Sequence, residues 1–238
     1  PAQVIRSKPR HGHPNHGGPT PEPTYGLQFS TRAVQDLSPE GTMRVRYEPV
    51  EGAFADGAPY TLRKPVYAFD ELNYGSMADS VQVSVRVAPA LIGMGLLEAV
   101  PEETILTYAD SADANGDGIS GRPNYVWSAM HQEDQLGRFG WKANQPSIPE
   151  QVASAFLGDM GLTTPIFPQE SCTEAQSACQ DVPSGGSPEV DQEALEPVIF
   201  YVRTLAVPAR RDAQNPEVLS GKGLFHEAQC ATCHRPQM

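Results

Sequence analysis

Alternating apolar and polar positions near the start of the chain predict β-structure. Residues 43–47 alternate with period two, residues 55–58 supply a turn, and residues 60–69 return as a second strand. Residues 81–87 alternate in the same way and predict a further strand. The sequence therefore predicts a β-hairpin over residues 42–69, followed by one more strand.

Apolar residues at helical spacing become frequent later in the chain. Helices are predicted over residues 90–99, 101–108, 149–160, 188–206 and 216–228. In the fourth of these helices Leu195, Ile199 and Val202 recur on one face, while Pro197 predicts a late start or a kink. Between the second and third helices, residues 125–142 predict a hairpin or a packed loop.

Composition limits how much regular structure these patterns produce. The chain has 238 residues, of which 23 are proline and 21 are glycine, so we expect many turns and fixed loops. The formal net charge of -12 disfavours binding to nucleic acid and suits a basic partner or cations. No apolar run approaches the roughly 18 residues of a membrane span, so none is expected.

The sequence Cys230-Ala-Thr-Cys233-His234 carries the strongest chemical signal. C-x-x-C-H is the attachment pattern of c-type haem, in which two thiols add to vinyl groups and the imidazole binds iron. The preceding helix has an apolar face, and its Gly221-x-x-Leu-Phe225 pattern is typical of the first helix of a cytochrome c. We therefore predict covalent haem at Cys230 and Cys233, with His234 as the ligand of the haem iron.

Three other roles for this motif fit the sequence less well. A zinc site needs two further ligands, and no second C-x-x-C or H-x-x-x-H lies nearby. A thioredoxin-like redox pair opens a helix, whereas this pair follows one. A structural disulfide leaves the histidine without a role.

The other two cysteines, Cys172 and Cys179, lie in a polar stretch. Cysteine is rarely placed in an exposed polar loop without a bonding role, which favours a disulfide over two reduced thiols. A disulfide suits an oxidising compartment, so we expect a periplasmic or secreted protein.

A possible calcium loop begins at Asp113. Asp113, Asn115 and Asp117 provide oxygen ligands on alternate residues, and Ile119 follows as a backbone carbonyl ligand. The twelfth position is Asn124 instead of the expected bidentate glutamate. Either the loop completes its calcium shell from elsewhere, or it is an Asp/Gly-rich turn without metal.

Several stretches resemble the di-haem oxidoreductase family, distant relatives of the bacterial di-haem cytochrome c peroxidases. The matching stretches are residues 92–102, 117–124, 137–146, 172–179 and 205–212, together with the haem motif and its Gly-x-x-Leu-Phe lead. The resemblance implies peroxidase-type chemistry at a di-haem centre, with a redox partner protein or a small oxidant such as peroxide. Family members carry two C-x-x-C-H motifs, so two haems c are expected in a full-length protein and this chain resembles a central fragment, inactive alone.

The resemblance suggests further roles that the residues alone do not assign. Trp127 and Trp141 are candidate electron relays between haems, although core packing is the alternative role for each. An acid or base for O–O cleavage is also expected, and the sequence does not select among Glu98, Glu102 and His131.

Two functions compete with a peroxidase-like enzyme. A non-enzymatic electron-transfer cytochrome would have six-coordinate irons, with methionine as the usual second ligand. The available methionines are Met43, Met77, Met94, Met130 and Met160. The other alternative is a calcium-stabilised scaffold domain fused to a cytochrome.

The fold class expected from these patterns is mainly α, with extensive loops and a small β-hairpin or sheet. Residues 1–24 are expected to form an extended Pro/Gly/His-rich arm. Residues 25–215 are expected to form a loop-rich α+β region between haem domains, and residues 216–238 the start of a truncated cytochrome c-like domain.

Overall fold

The computed structural model describes residues 3–7, 21–34 and 36–236 of the chain. The strands are β1 Gln3–Ser7, β2 Thr42–Ala53, β3 Pro59–Asp70, β4 Val81–Val85, β5 Tyr125–Ser128 and β6 Glu133–Leu136. The helices are α1 Met94–Ala99, α2 Glu102–Leu106, α3 Ile148–Ala155, α4 Ser177–Gln180, α5 Gln192–Thr204 and α6 Pro216–Glu227. A π-helical turn spans Phe156–Met160 and a 3-10 turn spans Cys230–Thr232. Within the described residues the strands pair antiparallel as β1–β4, β2–β3 and β5–β6.

The β2–β3 hairpin is built from the two longest strands. Its register runs from the Thr42–Asp70 pair to the Ala53–Pro59 pair, so every residue of each strand faces a partner. Gly57 in the connecting turn has a φ of 86°, which a residue without a Cβ adopts at little cost. The predicted hairpin is therefore confirmed, and residues 125–142 contain the shorter β5–β6 hairpin.

All five predicted helices are present, and each α-helical segment is shorter than predicted. Side chains cap three of them, α3, α5 and α6, as at α5, where the Asp191 carboxylate accepts the Ala194 N–H at 2.9 Å, whereas α1 and α2 begin without a side-chain cap. The α5 helix continues through Pro197, so of the two expected effects the late start is wrong and the kink stays a prediction.

The expected fold class, mainly α with a partial cytochrome c-like domain, is wrong. The structure contains 26% helix and 20% strand, so helix does not dominate. Three of the six helices have only four to six residues, whereas β2 and β3 have 12 each. The alternating segments β2 and β3 pair over their full length. No cytochrome fold is shown in the described part of the chain.

The chain divides into two compact units. The first unit comprises the stretches Pro1–Ala88, Leu157–Thr163 and Pro168–Glu189. The second unit comprises the stretches Pro89–Phe156, Thr164–Phe167 and Val190–Met238.

An aromatic cluster forms the core of the first unit. The buried rings of Tyr25 and Phe29 meet edge to face with centroids 5.5 Å apart, and Phe69 meets Phe29 at 5.0 Å. The buried Glu22 carboxylate accepts the backbone N–H groups of Tyr25 and Ala78, at 2.6 and 2.9 Å. These bonds offset the cost of burying a charged group.

Three helices, α1, α3 and α5, enclose the core of the second unit. Its buried residues are Met94, Phe139, Ile148, Val152, Leu195, Ile199 and Val202. A Cβ on Gly95 would overlap the carbonyl oxygen of Arg203, so α1 and α5 approach each other backbone to backbone. Gly95 thus serves the packing of α1 against α5.

A capping box begins α3. The Ser147 hydroxyl accepts the Glu150 N–H at 3.3 Å and donates to the Glu150 carboxylate at 2.9 Å. That buried carboxylate also accepts the Ala129 N–H at 2.6 Å, which joins α3 to the β5–β6 turn. The start of α3 is therefore fixed by local and distant hydrogen bonds together.

Some predictions concern residues that the structure describes only in part. Of the arm expected over residues 1–24, residues 3–7 form β1 opposite β4, and residues 8–20 lie outside the described residues. The three-segment division of the chain stays a prediction. Among the described residues, no helix has the length and apolar character needed to cross a membrane.

Candidate functional site

The cysteine pair at the end of the described chain is presented by α6. Asn215 caps this helix by accepting the Glu217 N–H at 2.8 Å, and Pro216 occupies the first turn. After α6, Gln229 adopts a left-handed φ of 59°, which reverses the chain into the 3-10 turn. The His234 N–H then donates to the Cys230 carbonyl at 2.9 Å. Both thiols and the imidazole are thereby held within one turn of backbone.

The two thiols of this turn are free and open to reaction. Cys230 is half-buried and Cys233 is exposed, and neither belongs to a disulfide. Thioether formation requires free thiols that a porphyrin edge can reach. The arrangement meets that requirement.

One side of α6, next to this turn, carries uncovered apolar side chains. Val218, Leu224 and Phe225 are 40%, 60% and 40% exposed, and no residue of α6, which is described throughout, is buried. A Cβ added at Gly221 or Gly223 would meet no atom within 4 Å. The helix therefore presents open apolar surface and space to a flat hydrophobic group.

Phe225 also contacts the candidate iron ligand. Its ring meets the His234 ring edge to face with centroids 6.0 Å apart. The two free thiols and the adjacent imidazole form a donor set that fits covalently attached haem. The open apolar surface beside them suits the flat ring of that group. Within the described chain as a whole, this turn included, no group of three or more His, Cys, Asp or Glu residues is placed to hold a metal ion.

Arg235 and Tyr108 form a contact that the sequence did not indicate. The Arg235 guanidinium lies 4.5 Å from the centroid of the Tyr108 ring, within the range of a cation–π interaction. Tyr108 follows α2, 127 residues before Arg235 in the chain. The position of Arg235 directly after the motif was visible in the sequence, but nothing there pointed to its aromatic partner.

The candidate relay tryptophans both lie in the second unit. Trp127 is on β5 and is 37% exposed, while Trp141 lies in the turn between Phe139 and Gln145 and is 56% exposed. Neither side chain is a buried core residue. Their role as electron relays stays a prediction.

The three candidate acid–base residues have different surroundings. Both carboxylate oxygens of Glu98 are engaged, one by the Ile148 N–H at 3.0 Å and the other by Arg203 Nε at 2.6 Å. This engagement gives Glu98 a role in joining helices of the second unit. Glu102 lines an acidic cleft of about 430 Å³, and His131 is exposed.

The methionines considered as iron ligands also differ in environment. Met94 is buried in the core of the second unit, which assigns it to packing. Met130 and Met160 are 47% and 61% exposed. Met43 and Met77 are half-buried.

The predicted calcium loop closes on its own backbone. The Asp113 carboxylate accepts the Gly118 N–H at 3.1 Å, and the Asp117 carboxylate accepts the Ile119 N–H at 2.8 Å. The Asn115 side chain accepts the Asp117 N–H at 2.9 Å. The loop has the geometry of successive Asx turns, and calcium binding stays a prediction.

Asn124, at the twelfth position of that loop, has a different function. Its amide donates to the carbonyls of Lys142 and Ala143, at 3.0 and 2.9 Å. The side chain therefore fixes a neighbouring turn.

Cys172 and Cys179 are joined by a disulfide in the first unit. The loop between them directs Gln176 into the interior, where its amide donates to the Glu40 carboxylate. Burial raises the pKa of Glu40, and the hydrogen bonds from Ser30 and Gln176 oppose that rise. The Thr173 hydroxyl of the same loop donates to the Thr24 carbonyl at 2.7 Å.

Comparison with known proteins gives one match. A family model described as "Di-haem oxidoreductase, putative peroxidase" matches residues 2–238. No curated protein and no solved structure matches the chain.

Proposed function

The chain belongs to the di-haem oxidoreductase family, and from this membership we propose that Cys230 and Cys233 attach a haem of the c type whose iron is bound by His234. The observation that carries the proposal is the geometry of this turn. Two free thiols and an imidazole lie within five residues beside an uncovered apolar helix face. The alternatives of a zinc site and a structural disulfide leave the apolar face or the histidine without a role.

Each side chain of the turn has a distinct task. The Cys230 and Cys233 sulfurs would hold the haem through two thioether bonds, in each of which sulfur would bond one vinyl carbon and the thiol hydrogen would pass to the other. The His234 imidazole would supply a nitrogen lone pair to the iron, and the Phe225 ring restricts the rotation of that imidazole. Bound haem supplies one-electron redox chemistry.

We place this haem in an oxidoreductase that transfers electrons to a peroxide-type oxidant. The overall reaction consumes two electrons and two protons for each peroxide, and yields two water molecules when the oxidant is hydrogen peroxide. A redox partner protein supplies the electrons. The net charge of -12 favours a partner with a basic docking surface.

We also propose that the protein works in the periplasm or outside the cell. The Cys172–Cys179 disulfide supports this location, because disulfides persist in oxidising compartments. Covalent haem attachment fits the same setting.

Two double variants of the full-length protein test this function. The protein is produced with a haem-maturation system, and its reduced form is mixed with hydrogen peroxide while haem absorbance is followed. Cys230→Ala/Cys233→Ala is expected to remove one covalent haem and to slow peroxide-dependent oxidation at least about tenfold. A tenfold loss of rate corresponds to an increase of about 1.4 kcal/mol in the activation free energy. Cys172→Ser/Cys179→Ser is the matched control and is expected to keep both haems.

Three results would contradict parts of the proposal. A Cys230→Ala/Cys233→Ala variant with its full haem content would place covalent attachment elsewhere. Wild-type protein that holds two haems but is not oxidised by peroxide would be an electron carrier. If oxidation of the reduced protein by peroxide did not depend on this haem, the domain that carries the haem would have a scaffold role instead.

A further inference from the structure

The segment that carries His234 is fixed to the second unit through Arg235. Arg235 is the next residue after the candidate iron ligand, and its guanidinium lies over the Tyr108 ring at 4.5 Å. No residue of α6 is buried, so this fully described helix contributes little packing to hold the segment in place. The Arg235–Tyr108 contact therefore adds a long-range anchor to the turn, beside the partial burial of Cys230–Thr232.

Tyr108 is itself rigidly placed. Its N–H donates to the Ile105 carbonyl at 3.1 Å, which continues the last turn of α2. Beyond it, Asp110 forms a β-bridge with Gly121, and a Cβ on Gly121 would approach the Tyr108 carbonyl oxygen to 2.7 Å. The Tyr108 backbone is thus enclosed by α2 on one side and the bridge on the other, which gives the ring a defined position.

Arg235 places a permanent positive charge beside the haem ligand. Arginine stays protonated at any pH at which the protein is folded. Reduction of haem iron adds one electron, so a nearby cation stabilises the reduced form relative to the oxidised form. A guanidinium held on an aromatic ring exerts this effect from one position, whereas the guanidinium of a mobile side chain would sample many positions in solvent.

We propose that Tyr108 and Arg235 form a positioning pair that orients the haem-attachment turn and raises the reduction potential of the haem on Cys230, Cys233 and His234. This inference rests on the proposed function, because it requires haem at that site. Tyr108 acts through Arg235 and is a positioning residue.

The test is a redox titration of the full-length holoprotein, followed by absorbance, with the other haem as internal reference. Arg235→Gln removes the charge, and Tyr108→Leu removes the ring that holds it. Each is expected to lower the midpoint potential of one haem only. For Arg235→Gln the equilibrium constant for reduction should fall about twofold to about sixteenfold, the range for unit charges about 10 Å apart at effective dielectric constants between about 80 and about 20.

Conservative variants distinguish the effect of losing the charge or the ring from the effect of general structural damage. Tyr108→Phe keeps the ring and is expected to keep the wild-type potential. Arg235→Lys keeps the charge and is expected to retain most of the potential. The effect of Arg235→Gln should shrink at high ionic strength, because exposed charges are screened.

The outcomes distinguish this inference from the function on which it rests. Wild-type protein without covalent haem at Cys230 and Cys233 would overturn both. Arg235→Gln and Tyr108→Leu proteins with two haems and unchanged potentials would overturn the positioning pair alone. Circular dichroism and haem content establish that each variant is folded, which is expected because both side chains are surface-accessible.

Discussion

At the scale of single residues, a local motif can be read from the sequence, whereas a distant partner cannot. The C-x-x-C-H spacing predicted Cys230, Cys233 and His234 as a haem-attachment site, and the structure holds the three residues within one turn of backbone, while haem attachment itself stays a proposal. Tyr108 was not predicted, since its contact with Arg235 depends on how a chain segment 127 residues away folds back. The hydrogen bonds of Glu98 were hidden from sequence for the same reason.

Glu189 provides a pH-dependent test at this scale. Hydrogen bonds from the backbone N–H groups of Thr163 and Gly185 lower the pKa of its carboxyl, and the Thr163 hydroxyl adds a third bond. A lowered pKa in the folded state stabilises the protein above the unfolded-state pKa. This stabilisation is lost as pH falls through the folded-state pKa.

Glu189→Gln is therefore expected to lower the free energy of unfolding by about 1 kcal/mol at pH 7. The difference from wild type should narrow as the pH falls below 4.5, the reference value for this carboxyl. Urea denaturation at a series of pH values measures both effects. Glu174→Gln, an exposed glutamate in the same unit, is the control and should match wild type. If the free energy of unfolding of Glu189→Gln differed from that of wild type by the same amount at every pH, a stabilising role of the ionised Glu189 carboxylate would be contradicted.

At the scale of elements, periodicity predicted most of the regular structure. Period-two alternation predicted the β2–β3 hairpin, and helical spacing predicted α1, α2, α3, α5 and α6. The missed elements were β1, whose partner β4 lies more than 70 residues away, and α4, which is one turn inside the disulfide loop. Strand pairing at long range and a single helical turn both lack a local periodic signal.

The two faces of α5 give a test of helix packing. Leu195 is fully buried in the core of the second unit, whereas Phe200 on the same helix is 67% exposed. Leu195→Ala is expected to lower the free energy of unfolding by about 2–5 kcal/mol, since it leaves a cavity. Phe200→Ala should change it by about 0.5 kcal/mol or less. Chemical denaturation followed by circular dichroism measures both, and equal effects would contradict the assigned core.

At the scale of the whole molecule, the balance of helix and strand was predicted wrongly. High proline and glycine content was expected to favour turns and loops over long regular elements, yet two 12-residue strands pair completely, although both strands contain proline. The division into two units, each assembled from separated stretches of chain, had no signal in composition. Such a division depends on tertiary contacts that no linear pattern records.

The disulfide gives a test at the scale of the first unit. Cys172→Ser/Cys179→Ser is expected to lower the free energy of unfolding by about 2 kcal/mol, because the bond closes a short loop in the unfolded chain. In the haem-free chain, Cys230→Ser/Cys233→Ser is the matched control. It should have almost no effect, since neither thiol belongs to a disulfide and no residue of α6 is buried. A larger loss in the control would contradict the structure of the C-terminal turn.

Haem attachment at the turn from Cys230 to His234 underlies the proposed function, and peptide mapping of the matured full-length protein by mass spectrometry examines that turn itself. The peptide containing Cys230 and Cys233 is expected to carry one haem, bound through both sulfurs, and its absorption spectrum is expected to be of the c type. Recovery of that peptide from haem-loaded protein with both thiols free, or with the two sulfurs joined to each other, would show that haem is not attached there.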